Sequence, residues 1–85
     1  LLAPYRDLNG AIALLCTKRN VEALELLLAL PQSAERDYMV AIALSRRGES
    51  SAALEFYRSA VNLDKRMEFR GNLDPEIHLL TNKKY

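Results

Sequence analysis

The chain has 85 residues, of which 49% are hydrophobic and 27% charged, and its formal net charge is +1. A chain of this length forms a single domain, and its composition is that of a folded protein rather than a disordered one. Basic and acidic residues are interleaved, which leaves no positive stripe for nucleic acid, and no apolar run approaches the roughly 20 residues of a membrane-spanning helix.

The first part of the chain predicts two helices. The first covers residues 4–17, and its apolar residues follow the i, i+3, i+4, i+7 spacing of one helix face: Leu8, Ala11, Ile12 and Leu15. Asn20 is the expected N-cap of the second helix, and Glu22 lies in its first turn, where the helix dipole favours a negative charge. This helix runs over residues 21–30 and ends before Pro31.

The middle of the chain predicts a second pair of helices. Ser33 is the expected N-cap of the third helix, and Gly48 is placed to adopt the left-handed conformation that often follows a helix end. The fourth helix begins after Gly48 with residues 49–51, and its apolar stripe consists of Ala53, Leu54, Tyr57, Ala60 and Val61.

These two pairs of helices are related by an internal repeat. Residues 11–14 and residues 41–44 both read Ala-Ile-Ala-Leu, and residues 23–25 and residues 53–55 both read Ala-Leu-Glu, so both matches have an offset of 30. A repeat of this length is typical of stacked supersecondary units.

The C-terminal part predicts a break followed by a short helix. The helical pattern stops over residues 65–73, where Gly71 and Asn72 favour turns. Asp74 is the expected N-cap of a final helix, Pro75 suits its first position, and Glu76 faces the positive end of its dipole. We expect this helix over residues 75–81. Four apolar residues are expected to cover the end of the fold: Phe69, Leu73, Ile77 and Leu80.

The second pair of helices resembles a tetratricopeptide repeat. Counted from Ala34, this sequence places three small residues, a turn glycine, a large aromatic residue and a terminal acid on the family's characteristic positions: Ala41, Ala53, Ala60, Gly48, Tyr57 and Asp64. Small residues suit these positions because closely packed helices leave no room for bulky side chains at their crossing. The first pair resembles the family more weakly, since Lys18 replaces the turn glycine and Leu27 the aromatic. In the second pair, Asp37 stands where the family usually has an aromatic residue.

The resemblance implies an all-α fold, in which antiparallel helix hairpins form a right-handed superhelical stack with a C-terminal capping helix. Residues 1–85 form the single domain, with residues 4–31 as the first helix pair, residues 33–64 as the second and residues 74–82 as the capping helix. Because the chain opens with Leu1 and shows no signal-peptide pattern, we expect a piece of a longer protein, and nothing in it indicates a compartment.

The resemblance also implies a protein-interaction or scaffolding module, which binds a peptide or helix in the groove lined by the first helix of each pair. The expected groove residues are Tyr5, Leu8, Ile12, Leu15, Cys16, Glu35, Tyr38, Ile42, Ser45 and Arg46. The alternative is a structural spacer or homodimerisation domain whose groove is filled by its own C-terminal segment. Removing residues 66–85 distinguishes the two. A spacer should unfold or dissociate, whereas an interaction module should stay folded and bind its partner more strongly.

Catalysis and metal binding are not indicated by the residue inventory. Cys16 is the only cysteine and is expected to be a core thiol, and His78 is the only histidine. Neither belongs to a nucleophile motif, and two potential ligands are too few for a structural zinc site. We therefore expect no enzyme, no metal and no cofactor. The expected partner is a protein or peptide, with no nucleic acid and no membrane insertion.

Overall fold

A computed structural model describes residues 8–81, and within them the protein is entirely helical. Its six helices, in chain order, are α1 (Leu8–Cys16), α2 (Asn20–Ala29), α3 (Ala34–Arg46), α4 (Ser50–Leu63), α5 (Arg66–Leu73) and α6 (Pro75–Thr81). This confirms the all-α class. None of these helices has the length and apolar character needed to cross a membrane.

The first four helices pack through small buried residues. Helix α1 packs on α2, α2 on α3, and α3 on α4. Six alanines are fully buried in these contacts and in the core: Ala11, Ala23, Ala41, Ala43, Ala53 and Ala60. Ala41 and Ala53 lie 30 positions after Ala11 and Ala23, so the sequence repeat corresponds to a repeat of buried small positions. The absence of bulk at these positions allows the helices to approach closely.

The turns inside the two helix pairs have the same backbone geometry. Gly48 follows α3 with φ of +82°, which confirms the predicted left-handed turn, and Lys18 adopts φ of +65° at the equivalent position after α1. In each turn the next residue donates its backbone N–H to the same relative carbonyl: Arg19 to Leu14 at 2.8 Å and Glu49 to Leu44 at 2.9 Å. The pair-to-pair repeat therefore extends to the hydrogen bonds of the turn.

The left-handed conformation of Lys18 leads to a stability prediction. A side chain with a Cβ in this conformation costs about 1 kcal/mol, and glycine does not carry this cost. Lys18→Gly is therefore expected to raise the free energy of unfolding by about 0.5–1 kcal/mol, measured by urea denaturation followed by circular dichroism. The control is Gly48→Ala, which should lower the free energy of unfolding. A destabilising Lys18→Gly would contradict the left-handed turn.

Two of the three predicted helix caps are confirmed. The Ser33 hydroxyl accepts a hydrogen bond from the Arg36 N–H at 3.1 Å, and the Asp74 carboxylate accepts one from the Glu76 N–H at 3.0 Å. The prediction for Asn20 is wrong, because Asn20 is the first residue of α2. Its side-chain oxygen instead accepts a hydrogen bond from the guanidinium of Arg46.

The prediction of turns over residues 65–73 is wrong. The chain turns only at Asp64 and Lys65 and then forms α5, which packs on α3, α4 and α6. Gly71 lies inside this helix and is buried, because the helix approaches Tyr57 so closely that only glycine fits. Glycine serves here for close approach rather than for a turn.

Three side chains expected in the core lie at the surface. Phe69 and Leu73 are 75% and 83% exposed, whereas Ile77 and Leu80 are buried as expected. Phe69 and Leu73 share one face of α5, and the opposite side of that helix is buried through Met67 and Gly71. Cys16 is exposed at the end of α1, where its neighbour Leu15 takes the buried position.

Candidate protein-binding surface

The expected groove residues of the second helix pair form one face of α3. We call this surface the α3 face; its residues are Glu35, Tyr38, Ile42 and Arg46, spaced by three or four positions. In the structure this face is not open. Residues 66–81, which we call the C-terminal segment, pack on α3 and α4 through α5 and α6.

Tyr38 is the most buried member of the α3 face, with 1% of its surface exposed. Its hydroxyl donates a hydrogen bond to the carboxylate of Asp74 at 3.0 Å, and its ring meets that of Tyr57 edge to face with centroids 6.2 Å apart. The guanidinium of Arg70 lies 4.7 Å from the centroid of the Tyr38 ring. A cation over the ring and an anion at the hydroxyl are both favourable for a phenol, which is negative on its face and a donor at its tip.

Arg46 joins three parts of the chain through its guanidinium. Its Nε and Nη2 donate to the two carboxylate oxygens of Glu76 at 2.9 and 2.7 Å, which is a bidentate pair. Its Nη1 donates to the backbone carbonyl of Leu15 at 2.8 Å and to the side-chain oxygen of Asn20 at 3.0 Å. Arg46 therefore ties the first helix pair, α3 and the C-terminal segment together.

The remaining contacts of this surface are apolar or weakly electrostatic. Ile77 is fully buried and Leu80 is 8% exposed, both from α6, and they belong to the main hydrophobic core. Ile42 is half-buried and packs against the same core. Glu35 is exposed and lies 3.9 Å from Arg70, a loose pair of small energetic weight. The segment is thus held by buried apolar side chains and oriented by polar contacts.

The remaining expected groove residues, most of them in the first helix pair, make fewer contacts with the C-terminal segment. Ile12 is 40% exposed, Leu15 is buried, and Ser45 on α3 is half-buried. Tyr5 and the side chain of Leu8 lie outside the described residues. The structure therefore brings Tyr38 and Arg46 together with the C-terminal segment, and it places Ile12 at the surface.

Sequence reasoning missed the residues that contact the α3 face. Asp74 and Glu76 were expected only to start a helix, a role that the helix dipole and the cap explain without any partner. Asn20 was expected to cap α2, and Arg70 was placed in a turn. No sequence pattern reveals these contacts, because they join residues 26 to 36 positions apart.

The tyrosine environment leads to a titration prediction. Burial, and then the hydrogen bond to Asp74, raises the pKa of the Tyr38 phenol well above its ordinary value, and burial also raises the pKa of Tyr57. Because the pKa of Tyr38 is higher in the folded state, its protonated phenol contributes to the free energy of unfolding. This contribution is fully present below the ordinary pKa of about 10 and is lost as the pH rises through the folded-state pKa. In a 295-nm titration of the four tyrosines, we expect Tyr38→Phe to remove the step at highest pH. Four tyrosines ionising together near pH 10 would contradict this environment.

The packing of Gly71 leads to a second prediction at this site. A Cβ added to Gly71 would lie 2.5 Å from the hydroxyl oxygen and 2.7 Å from a ring carbon of Tyr57. Gly71→Ala is therefore expected to lower the free energy of unfolding by about 1–3 kcal/mol, although alanine ordinarily stabilises a helix relative to glycine. Asn72→Ala, at an exposed neighbour in the same helix, is the control and should be neutral or stabilising in urea denaturation. A stabilising Gly71→Ala would mean that α5 does not approach Tyr57.

Comparison with known proteins adds no relative. No protein-family model, no curated protein and no solved structure matches this chain. The α3 face and the residues that contact it are therefore the features from which a function can be inferred.

Proposed function

We propose that this protein is a protein-interaction or scaffolding module made of two tetratricopeptide-like helix pairs, with the C-terminal segment as the cap of the stack. The repeat of buried alanines and turn geometry at an offset of 30 supports the repeat architecture. In this proposal the first helices of the two pairs, α1 and α3, supply the surface that binds a peptide or helix.

The observation that supports binding is the occupancy of the α3 face by a helix. Helix α6 lies on α3 and α4, buries Ile77 and Leu80, and is oriented by polar contacts from Tyr38 and Arg46. A surface that accommodates an amphipathic helix from its own chain has the shape and donors to accommodate a similar helix from another protein. Buried apolar anchors with a few directional polar contacts are the usual composition of such a surface.

A second candidate function rests on the same contacts. If the C-terminal segment is a permanent part of the core, the protein is a structural spacer or a homodimerisation domain whose groove is filled from within. The complete burial of Ile77 favours this alternative, because removing such a side chain from the core is costly.

Shortening the chain after Lys65 tests the two candidates. Under the interaction proposal the shortened protein stays helical by circular dichroism and binds a synthetic peptide of residues 66–81 added to it. The control peptide carries serine at Ile77 and Leu80 and should not bind. Loss of helical structure in the shortened protein would instead support the spacer. Light scattering over a concentration series on the full chain then separates a monomer from a homodimer.

A further inference from the structure

One donor of the α3 face, Arg46, is held in place by contacts outside the C-terminal segment. The Nη1 atom of Arg46 is fixed by the carbonyl of Leu15 and the amide oxygen of Asn20, both neutral groups of the first helix pair. This leaves the Nε and Nη2 edge directed at Glu76, in the fork geometry that matches a carboxylate. Arg46 is therefore preorganised to bind a carboxylate, which lowers the entropic cost of doing so.

A second donor on the same helix defines the orientation of the bound helix. Tyr38 lies eight residues before Arg46 on α3, and its hydroxyl donates to Asp74. The two acceptors, Asp74 and Glu76, are two residues apart at the beginning of α6. Asp74 is the cap residue just before α6, and Glu76 lies in the first turn of that helix. The two donors therefore meet the N-terminal end of the bound helix and define its orientation. The apolar residues Ile77 and Leu80 follow three and six positions after Asp74.

The C-terminal segment is anchored by the buried Ile77, but its helices are short and its polar contacts are partly exposed. Helix α6 has seven residues and α5 has eight, which is too short for stable helices without packing. The side chains of Arg46 and Glu76 are 22% and 38% exposed, so water weakens their attraction. Phe69 and Leu73 remain exposed and add nothing to docking. A longer helix with the same contacts would compete with the segment.

We propose, on the basis of the interaction function proposed above, that the α3 face selects helices with two carboxylates two residues apart at their N-terminal end, one at the cap and one in the first turn. Apolar residues in the spacing of Ile77 and Leu80 follow. The C-terminal segment is an internal copy of this ligand. A partner helix of this acidic and amphipathic chemistry binds by displacing residues 66–81, and its carboxylates take the places of Asp74 and Glu76 on Tyr38 and Arg46.

The test uses the full chain and two labelled peptides in fluorescence anisotropy. The acidic peptide has the sequence of residues 66–81, and the neutral peptide carries Asp74→Asn and Glu76→Gln. The proteins are the wild type, Glu76→Gln, which loses the ion pair to Arg46, and Glu68→Gln, which removes the same charge from an exposed position of α5. Asp74→Asn is a second variant that weakens docking of the C-terminal segment, because it removes the charge that accepts the Tyr38 hydrogen bond. The helix start is kept, since asparagine caps a helix as well as aspartate does. Circular dichroism verifies that each variant is folded.

We expect the acidic peptide to bind the Glu76→Gln protein roughly ten-fold more tightly than the wild type or Glu68→Gln, and to bind roughly ten-fold more tightly than the neutral peptide. Equal binding of the two peptides overturns the selection of carboxylates and leaves the interaction function standing. Binding of neither peptide to any variant overturns both proposals. If light scattering shows that the wild type is a dimer and the dimer does not bind the acidic peptide, the α3 face binds a second copy of this chain. That result overturns the proposed partner.

Discussion

Replacing Ile77 by alanine is expected to lower the free energy of unfolding by about 3 kcal/mol, the cost of removing a fully buried isoleucine from a packed core. Ile77 is the fully buried residue of α6 and belongs to the same core cluster as Leu27 and Val40. The measurement is urea denaturation followed by circular dichroism. If the wild type and the variant have the same m value, the shift of the transition midpoint reports the change in stability.

The matched control for Ile77 is two residues away in the same helix. Leu79 is 72% exposed, and Leu79→Ala is expected to change the free energy of unfolding by less than about 0.5 kcal/mol. Both substitutions replace a branched apolar residue of the same helix by alanine, and the large difference between them is burial. Equal effects from both would mean that α6 is not docked through its Ile77 face, and the internal-ligand proposal would lose its basis.

Replacing Asp37 by alanine is expected to lower the free energy of unfolding by about 3 kcal/mol, because it leaves a largely buried guanidinium without its carboxylate. Asp37 is fully buried, and its Oδ1 lies 3.0 Å from Nη2 of Arg36, whose side chain is 12% exposed. The hydroxyl of Ser59 and the amide of Gln32 donate to its Oδ2 at 2.7 and 2.9 Å. The alanine variant therefore also leaves two polar groups without their acceptor.

Two further variants separate the charge of Asp37 from its shape. Asp37→Asn keeps the size and one acceptor oxygen, so it should cost less than alanine in the same denaturation experiment. Glu35→Ala removes an acid from the first turn of the same helix, but its side chain is 57% exposed, and the expected change is within about 0.5 kcal/mol. If Glu35→Ala and Asp37→Ala have equal effects, the charge near the helix end matters and the buried network does not.

Asp37 also illustrates the limit of the family resemblance. The sequence shows an acid where tetratricopeptide repeats usually have an aromatic residue. The position is nevertheless fully buried here: its Oδ2 accepts hydrogen bonds from Ser59 and Gln32, whereas its Oδ1 makes no hydrogen bond and has only the ion pair with Arg36. A buried charge requires partners, and the partners come from α3 itself, from α4 and from the loop before α3. Their convergence is a property of the folded chain that no local pattern predicts.

Local signals predicted the elements of the first four helices well. Period-3.6 apolar spacing, the Ser33 cap and the Gly48 turn each depend on neighbouring residues, and the structure confirms them. The same local rules failed at Gly71, where a glycine that usually signals a turn lies inside α5. They also failed at Cys16, because periodicity near a helix end does not decide which of two adjacent apolar residues turns inward.

The sequence alone determined the all-α class, the offset of 30, the alanines that allow close packing, and the start of the last helix at Asp74 and Pro75. These features are encoded in the spacing of residues that are close together in the chain. The contacts between helices appear only in the folded chain: the C-terminal segment covers the α3 face, Arg46 binds Glu76 as well as Leu15 and Asn20, and Gly71 contacts Tyr57. Such contacts depend on how the helices are oriented in three dimensions, and residue spacing along one helix carries no information about that orientation.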